Sequence, residues 1–290
     1  MGGIVNERHE YPPGVPCWVD TAQPDPNAAV GFYRGLFGWE FEETAPPDAP
    51  GHYFIGRLRG LDVAGIGSQT DDSPPTPAWN TYISVESADE TSAKVTGAGG
   101  TIVGETFDVP ASGRMAVFAD PAGAIFSVWQ AREFKGAQLV NEPGTWGWSD
   151  LNTREMDTAR DFYGAVFGWE ADTSEAGGEY AMLRRPGYGD FLETLDPDLR
   201  QRMAEEKAPP GFEDVIGWLV HMTSEQFSDD TPSHWGTTFG VEDADAAVDK
   251  AGRLGAKVLV PPMDIPPVRV AVLADPQGAV FSVSKYTPPE

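Results

Sequence analysis

Two aspartates stand in matching places. Asp20 follows Trp18 by two residues and precedes Phe32-Tyr33 by twelve, and Asp150 follows Trp148 by two and precedes Phe162-Tyr163 by twelve. A carboxyl group set among indole rings is desolvated, which raises its pKa and suits it to general acid or base chemistry. Two arginines are matched in the same way: Arg114 and Arg269 each lie six residues before an Asp-Pro turn. They are the candidate catalytic partners of the aspartates. The alternative is structural, an Asp–Arg pair or strand-end hydrogen bonds repeated because the fold is repeated. Tyr53 and Tyr180 also correspond, as phenols that donate to a bound oxygen or as rings packed with the hydroxyl at a rim.

Other reactive types are isolated. The single cysteine, Cys17, has no histidine near it in sequence and alternates onto the face opposite Trp18. A buried small hydrophobe is the expected role. His9, His52, His221 and His234 have no counterparts elsewhere in the chain and no metal-ligand spacing. His221 with His234 is the one pair that proximity leaves open as a site. Gly97–Gly100 follows a helix and closes it, so it is no phosphate loop. A nucleophile elbow and a dinucleotide fingerprint are both absent from the sequence.

The positioning elements come from an internal repeat. Phe32-Tyr33-Arg34-Gly35-Leu36-Phe37-Gly38-Trp39-Glu40 recurs as Phe162-Tyr163-Gly164-Ala165-Val166-Phe167-Gly168-Trp169-Glu170. Ala119-Asp120-Pro121-Ala122-Gly123 recurs as Ala274-Asp275-Pro276-Gln277-Gly278. The offset is 130 at the first block and 155 at the second, so the second copy carries an insertion, near 195–214. Within that insertion Asp196-Pro197 opens a short helix bearing Leu199 and Met203, as a lid over a second site or a surface element. Each copy reads as strand, helix, strands, then strand, helix, strands. Val15–Thr21 alternates as a strand, Asp25-Pro26 caps a helix that Gly38 ends, and His52–Leu58 and Leu61–Ser68 are strands. Thr81–Glu86 is a strand and Asp89–Thr96 a helix. Arg114–Ala119 and Ala124–Trp129 form a hairpin about Asp120-Pro121-Ala122-Gly123. Strand parity puts Trp18 with Asp20, and Trp146 with Trp148 and Asp150, on one face.

These repeated blocks resemble the vicinal oxygen chelate superfamily of glyoxalases, bleomycin-resistance proteins and extradiol dioxygenases. The Phe-Tyr-x-x-x-Phe-Gly-Trp helix end and the Asp-Pro-x-Gly hairpin carry the resemblance in both copies. The Gly136-Ala137-x-Leu139-Val140-Asn141-Glu142 segment extends it to the tandem two-domain glyoxalase-like proteins of actinobacteria, a mycobacterial culture-filtrate antigen among them. The resemblance implies an α+β fold of paired βαβββ modules whose curled sheets form one cup per domain. The expected domains are 11–132 and 145–286, joined by a linker at 133–144. It further implies a cup where metal-using members hold a divalent ion. Spacing places Trp18 and Trp148, Asn80 and Gly236, and Ser127 and Ser282 at the ligand positions, with Ala64-Gly65-Ile66 and Ile216-Gly217-Trp218 on the fourth strand. Indoles do not ligate metals and neutral serine does so poorly, so no metal and no cofactor is expected. The substrate-binding candidates lining the cups are Trp18, Tyr53, Asn80, Tyr82, Ser127 and Trp129 in the first copy, and Trp146, Trp148, Tyr180 and Ser282 in the second. The composition is that of a small-molecule pocket, unless the tryptophans themselves fill it.

The 290 residues carry a net charge of −25, from 45 acidic and 20 basic side chains. That disfavours nucleic acid and anionic membrane as partners. The acids recur in corresponding loops, as in Glu40, Glu42, Glu43 and Asp71-Asp72, then Glu170, Asp172, Glu175 and Asp229-Asp230. Most of the charge is therefore expected on the shell. No long apolar run and no secretory pattern is visible, and a cytoplasmic monomer or homodimer is expected. The function these features imply is a glyoxalase-like small-molecule protein with metal-free aromatic cups. It binds a small metabolite or transforms it in a lyase, isomerase or cyclase reaction with aspartate as acid and base. The alternatives are a metal-dependent glyoxalase or dioxygenase, and a non-catalytic binding, resistance or structural protein with filled cups. One cup is expected to bind ligand and the other to be structural, because only the second copy has the insertion.

Overall fold

The computed structural model describes residues 6–46, 48–70, 76–173 and 178–287. The acidic positions Asp71-Asp72 and Glu175 lie outside these described residues. The first copy supplies β1 (Pro16–Gln23), α1 (Pro26–Phe37), β2 (Glu40–Glu43), β3 (Tyr53–Leu58), β4 (Leu61–Ser68), β5 (Trp79–Ser84), α2 (Ala88–Gly97), β6 (Thr101–Val109), β7 (Gly113–Ala119) and β8 (Ile125–Ala131). The second supplies β9 (Trp146–Thr153), α3 (Met156–Phe167), β10 (Tyr180–Arg184), α4 (Tyr188–Leu195), α5 (Leu199–Glu205), β11 (Val215–His221), β12 (His234–Gly240), α6 (Ala244–Arg253), β13 (Lys257–Ile265), β14 (Val268–Ala274) and β15 (Val280–Tyr286).

Local chemistry explains the helix ends. The Asp25 carboxylate accepts from the Ala28 N–H at 3.0 Å, and Pro26 occupies the first turn, where its missing donor costs nothing. Gly38 and Gly168 close α1 and α3 in the left-handed conformation that glycine adopts freely. The insertion holds more than the one helix read from sequence. Besides α5 it contains α4, whose start lies ahead of the predicted insertion.

Each copy builds one mixed, curled sheet, so the fold is α+β with two tandem glyoxalase-like domains. The strand orders are β2-β3-β4-β1-β5-β8-β7-β6 and β10-β11-β9-β12-β15-β14-β13. In the first sheet β1 runs parallel to β4 and antiparallel to β5, which joins the two modules at the centre, and β9 repeats this between β11 and β12. The edge strands β6 and β13 carry exposed apolar residues such as Phe107 and Ile265.

Across the pseudo-dimer α1 meets α6 and α2 meets α3, and the apolar faces of α1 and α3 pack into cores shared with the other copy. Phe32, Tyr33 and Leu36 of α1 share a core with Phe239, Phe281 and Val283 of the second domain. Phe162 and Tyr163 of α3 share one with Phe118, Phe126 and Val128 of the first. The two repeated motifs bond to each other across this boundary. Tyr33 Oη donates to Asp275 at 3.0 Å, and Tyr163 Oη donates to Asp120 at 3.2 Å. Trp39 Nε1 donates to Gly144 O and Trp169 Nε1 to Gly14 O, each at 2.7 Å. Buried polar groups thus find partners only when both copies are present, which fixes one docking geometry.

Candidate functional site: two unequal cups

In the first cup β1 presents Trp18 and Asp20, β5 presents Asn80 and Tyr82, and β3 presents Tyr53. These groups close on Asp20. Tyr82 Oη donates to Oδ2 at 2.8 Å, Tyr53 Oη donates to the same oxygen at 3.0 Å, and Asn80 Nδ2 donates to Oδ1 at 3.0 Å. Trp18 Nε1 donates to Tyr53 Oη at 3.0 Å, so the chain of donors ends on the carboxylate. Burial raises the Asp20 pKa, and the three hydrogen bonds pull against it. Gly65 makes the arrangement possible: a Cβ there would stand 2.3 Å from Tyr53 Oη. The segment that follows β8 sets a half-buried phenyl ring against this face. The Phe134 ring meets Trp18 edge-on at 4.9 Å and Trp129 at 6.0 Å. Ser127 pairs with Tyr82 in the β5–β8 ladder and is buried, as are Trp18, Tyr82 and Trp129.

In the second cup the same strand positions hold other residues. Asp150 pairs with Trp218 on β11 and Gly236 on β12, where Asp20 pairs with Gly65 and Asn80. Trp148 pairs with Thr238, where Trp18 pairs with Tyr82. Every donor around Asp20 is therefore lost or shortened. Thr238 Oγ1 reaches Asp150 Oδ2 only at 3.4 Å, and Oδ1 is shut off from solvent with no hydrogen-bond partner. Burial drives the Asp150 pKa up to about 7, opposed by hydrogen bonding from the Thr238 hydroxyl and the Trp218 backbone. Ser282 pairs with Thr238 and is half-buried.

Three readings from the sequence are corrected. Arg114 and Arg269 do not reach the aspartates of the cups. Arg114 pairs with Asp89 at 2.9 Å and Asp108 at 3.3 Å, and Arg269 with Asp245 at 2.6 Å and Asp264 at 3.0 Å, each joining a helix to an edge strand. Trp146 does not share the face of Trp148 and Asp150. The register slips between Thr238 and Phe239, which places a bulge at Gly147 and reverses the alternation. Trp146 instead donates to Ser149, whose hydroxyl meets Thr81 of the first domain. Tyr180 is exposed with its ring beside Trp218, because that indole stands where Gly65 leaves room for Tyr53.

Trp218, Phe212 and Phe134 are the site residues that the sequence reading did not single out. The shared glycine invited an alignment of Gly65 with Gly217, but the registers match Gly65 to Trp218. Phe212 opens a short 3₁₀ turn, Phe212–Asp214, and faces Trp148 at 6.2 Å. A cleft of about 50 Å³ is lined by Trp146, Trp148, Tyr188, Phe212 and Ile216 together with Arg8 and Tyr11 from the N-terminal segment, and not by Asp150, Trp218, Thr238 or Ser282, so the insertion walls a cleft beside Trp148 rather than the space around Asp150. Arg200 of α5 holds the wall together through Asp190, Glu193 and Glu213. A divalent ion does not fit the donor set of either cup. Trp148, Gly236, Trp218 and Ser282 supply no ligand trio, and among the described residues no three His, Cys, Asp or Glu side chains gather as one. His221 and His234 lie on opposite sides of β9, paired with Thr153 and Asn152.

The family model for the "Glyoxalase/Bleomycin resistance protein/Dioxygenase superfamily" matches residues 18–128, and that for a "Glyoxalase-like domain" matches 149–284. The chain belongs to this superfamily. A full-length relative, "Putative glyoxylase CFP32" of Mycobacterium tuberculosis, is 38% identical over 97% of this chain and 98% of its own. The "Anthracycline biosynthesis protein DauV" of Streptomyces sp. (strain C5) is 34% identical over 94% of each. Solved structures share the glyoxalase-like fold at low identity. The Mn(II)-bound glyoxalase of Novosphingobium aromaticivorans aligns with a TM-score of 0.57 at 15% identity, over 94% of this chain and 82% of its own. The 2,3-dioxygenase LapB of Pseudomonas sp. KL28 aligns at 0.58 and 13%, over 96% and 95%. Among the described residues no helix is long and apolar enough to cross a membrane.

Proposed function

We propose that this glyoxalase-like chain takes a small, planar organic metabolite into its second cup and that Asp150 moves a proton on it. The observation that carries this reading is the buried Asp150 Oδ1 with no hydrogen-bond partner. A lone acceptor of that kind costs stability unless something else uses it. With its pKa near 7, the carboxyl is close to half protonated at neutral pH. It takes a proton from a hydroxyl, or from a carbon next to a carbonyl, and returns it elsewhere on the same molecule, the work of an isomerase, cyclase or lyase. Trp148, Trp218 and Phe212 give such a ligand aromatic faces to stack on, and the Ser282 hydroxyl is a candidate donor to a carbonyl oxygen. The chemistry is metal-free because the ligand positions lack donors. The relatives named for anthracycline biosynthesis support hydroxylated polycyclic aromatics as the first class to try.

Titration of the tryptophan fluorescence with hydroxyanthraquinones is the direct test, with simple dicarbonyls as the contrast. Saturable quenching at one ligand per chain is expected, weakened tenfold or more, about 1.4 kcal/mol, by Trp148→Ala. Asp150→Asn should keep binding and lose any turnover. Stoichiometric nickel, zinc or iron in the purified protein would overturn the metal-free reading. Binding with no Asp150-dependent turnover would leave a sequestration or resistance module.

A further inference from the structure

We propose that the first cup is a binding site for a monocyclic aromatic ring and that the chain fills it with its own Phe134. Phe134 belongs to the linker between the domains, not to the cup's strands. Its half-buried ring stands edge-on to Trp18 at 4.9 Å and near-perpendicular to Trp129 at 6.0 Å. Behind Trp18 stand Tyr53 and Asp20, joined through the indole N–H.

The strap that carries the ring is fixed on both sides. Trp129 Nε1 donates to the Phe134 carbonyl at 2.9 Å, and the Phe134 N–H bonds Ser112 O at 3.2 Å. The Arg132 N–H also bonds Ser112 O, and the Ala137 N–H bonds Cys17 O at 2.8 Å. Gly136 permits the last contact: a Cβ there would stand 2.2 Å from Cys17 O, and its φ is +117°. None of these bonds uses the phenyl ring. The ring can therefore be removed with its backbone left in place. The second cup has Ser284 where the first has Trp129, so it lacks the indole that grips the strap. This inference is independent of any role for Asp150.

Apolar cavities opened by large-to-small changes stay dry and accept benzene-sized molecules. The test is Phe134→Ala in the full chain, with phenol at about 10 mM as the probe and thermal unfolding as the readout. Phenol should raise the midpoint of the variant by about 2–4 °C more than that of the unaltered protein. Taking the difference removes any phenol bound in the second cup. A folded variant, shown by an intact near-ultraviolet circular dichroism spectrum, that gains no more than the parent would overturn the proposal. Should Phe134→Ala fail to fold, Phe134→Leu opens a smaller space, and the same difference decides. Failure here leaves the Asp150 reading standing, because that reading is tested by anthraquinone binding and Trp148→Ala.

Discussion

Asp20 and Asp150 hold one position in two copies of the same module, yet they sit in opposite states. Asp20 is met by three donors and buried. Asp150 is met only by the distant Thr238 hydroxyl and the Trp218 backbone, and its buried Oδ1 has no hydrogen-bond partner. The difference traces to a few neighbours, in which Gly65, Asn80 and Tyr82 give way to Trp218, Gly236 and Thr238. A repeat preserves backbone and register. Whether a carboxyl is a structural acceptor or a reactive group is decided by the side chains that face it. The outward arginines confirm the point from the other side, since Arg114 and Arg269 are repeated faithfully and touch neither cup.

Substitution at the two aspartates should separate them most. Asp20→Ala orphans two tyrosines and an asparagine, and should cost about 3 kcal/mol or more in chemical denaturation, at 1–3 kcal/mol for each donor left buried. Asp150→Asn should act the other way at pH 8, stabilising by up to about 4 kcal/mol, since each pKa unit is worth about 1.4 kcal/mol. Loss of stability in both would break the comparison.

The pH dependence sharpens it. A carboxyl whose folded pKa is raised holds its proton more tightly in the native state, so it favours folding at low pH. That contribution is full below about pH 4 and is lost as pH rises through about 7. Asp150→Asn should flatten this stretch of the stability curve, measured by urea midpoints from pH 4 to 8. A smaller effect is expected of Thr238→Tyr, which returns a phenol to the Asp150 position and should lower its pKa, read by carboxyl carbon NMR. The smallest belongs to Arg114→Ala and Arg269→Ala. Both break solvent-exposed pairs, and ligand affinity and unfolding midpoint should stay nearly unchanged.

Most of the framework was legible in the residues. The repeated Phe-Tyr and Asp-Pro blocks located the helices and hairpins, because capping, turn chemistry and apolar spacing act over a few residues. The face assigned to Trp18 and Asp20 was right for the same reason. Trp146 was misplaced because a bulge at Gly147 resets the alternation, and nothing in Trp-Gly-Trp announces it. Arg114 was misassigned because spacing tells which residues recur, not which side of a strand they leave from.

The sequence by itself determined that two copies of one module exist, with tryptophans and aspartates repeated at matching strand positions. It did so because these are matters of residue type and local period. Only the tertiary structure decided that Tyr33 answers Asp275 across the domain boundary, that the Phe134 ring meets Trp18 and Trp129, and that Trp218 pairs with Asp150 between β11 and β9. Each of those contacts joins residues far apart in the chain, and their energies depend on burial that no local pattern records.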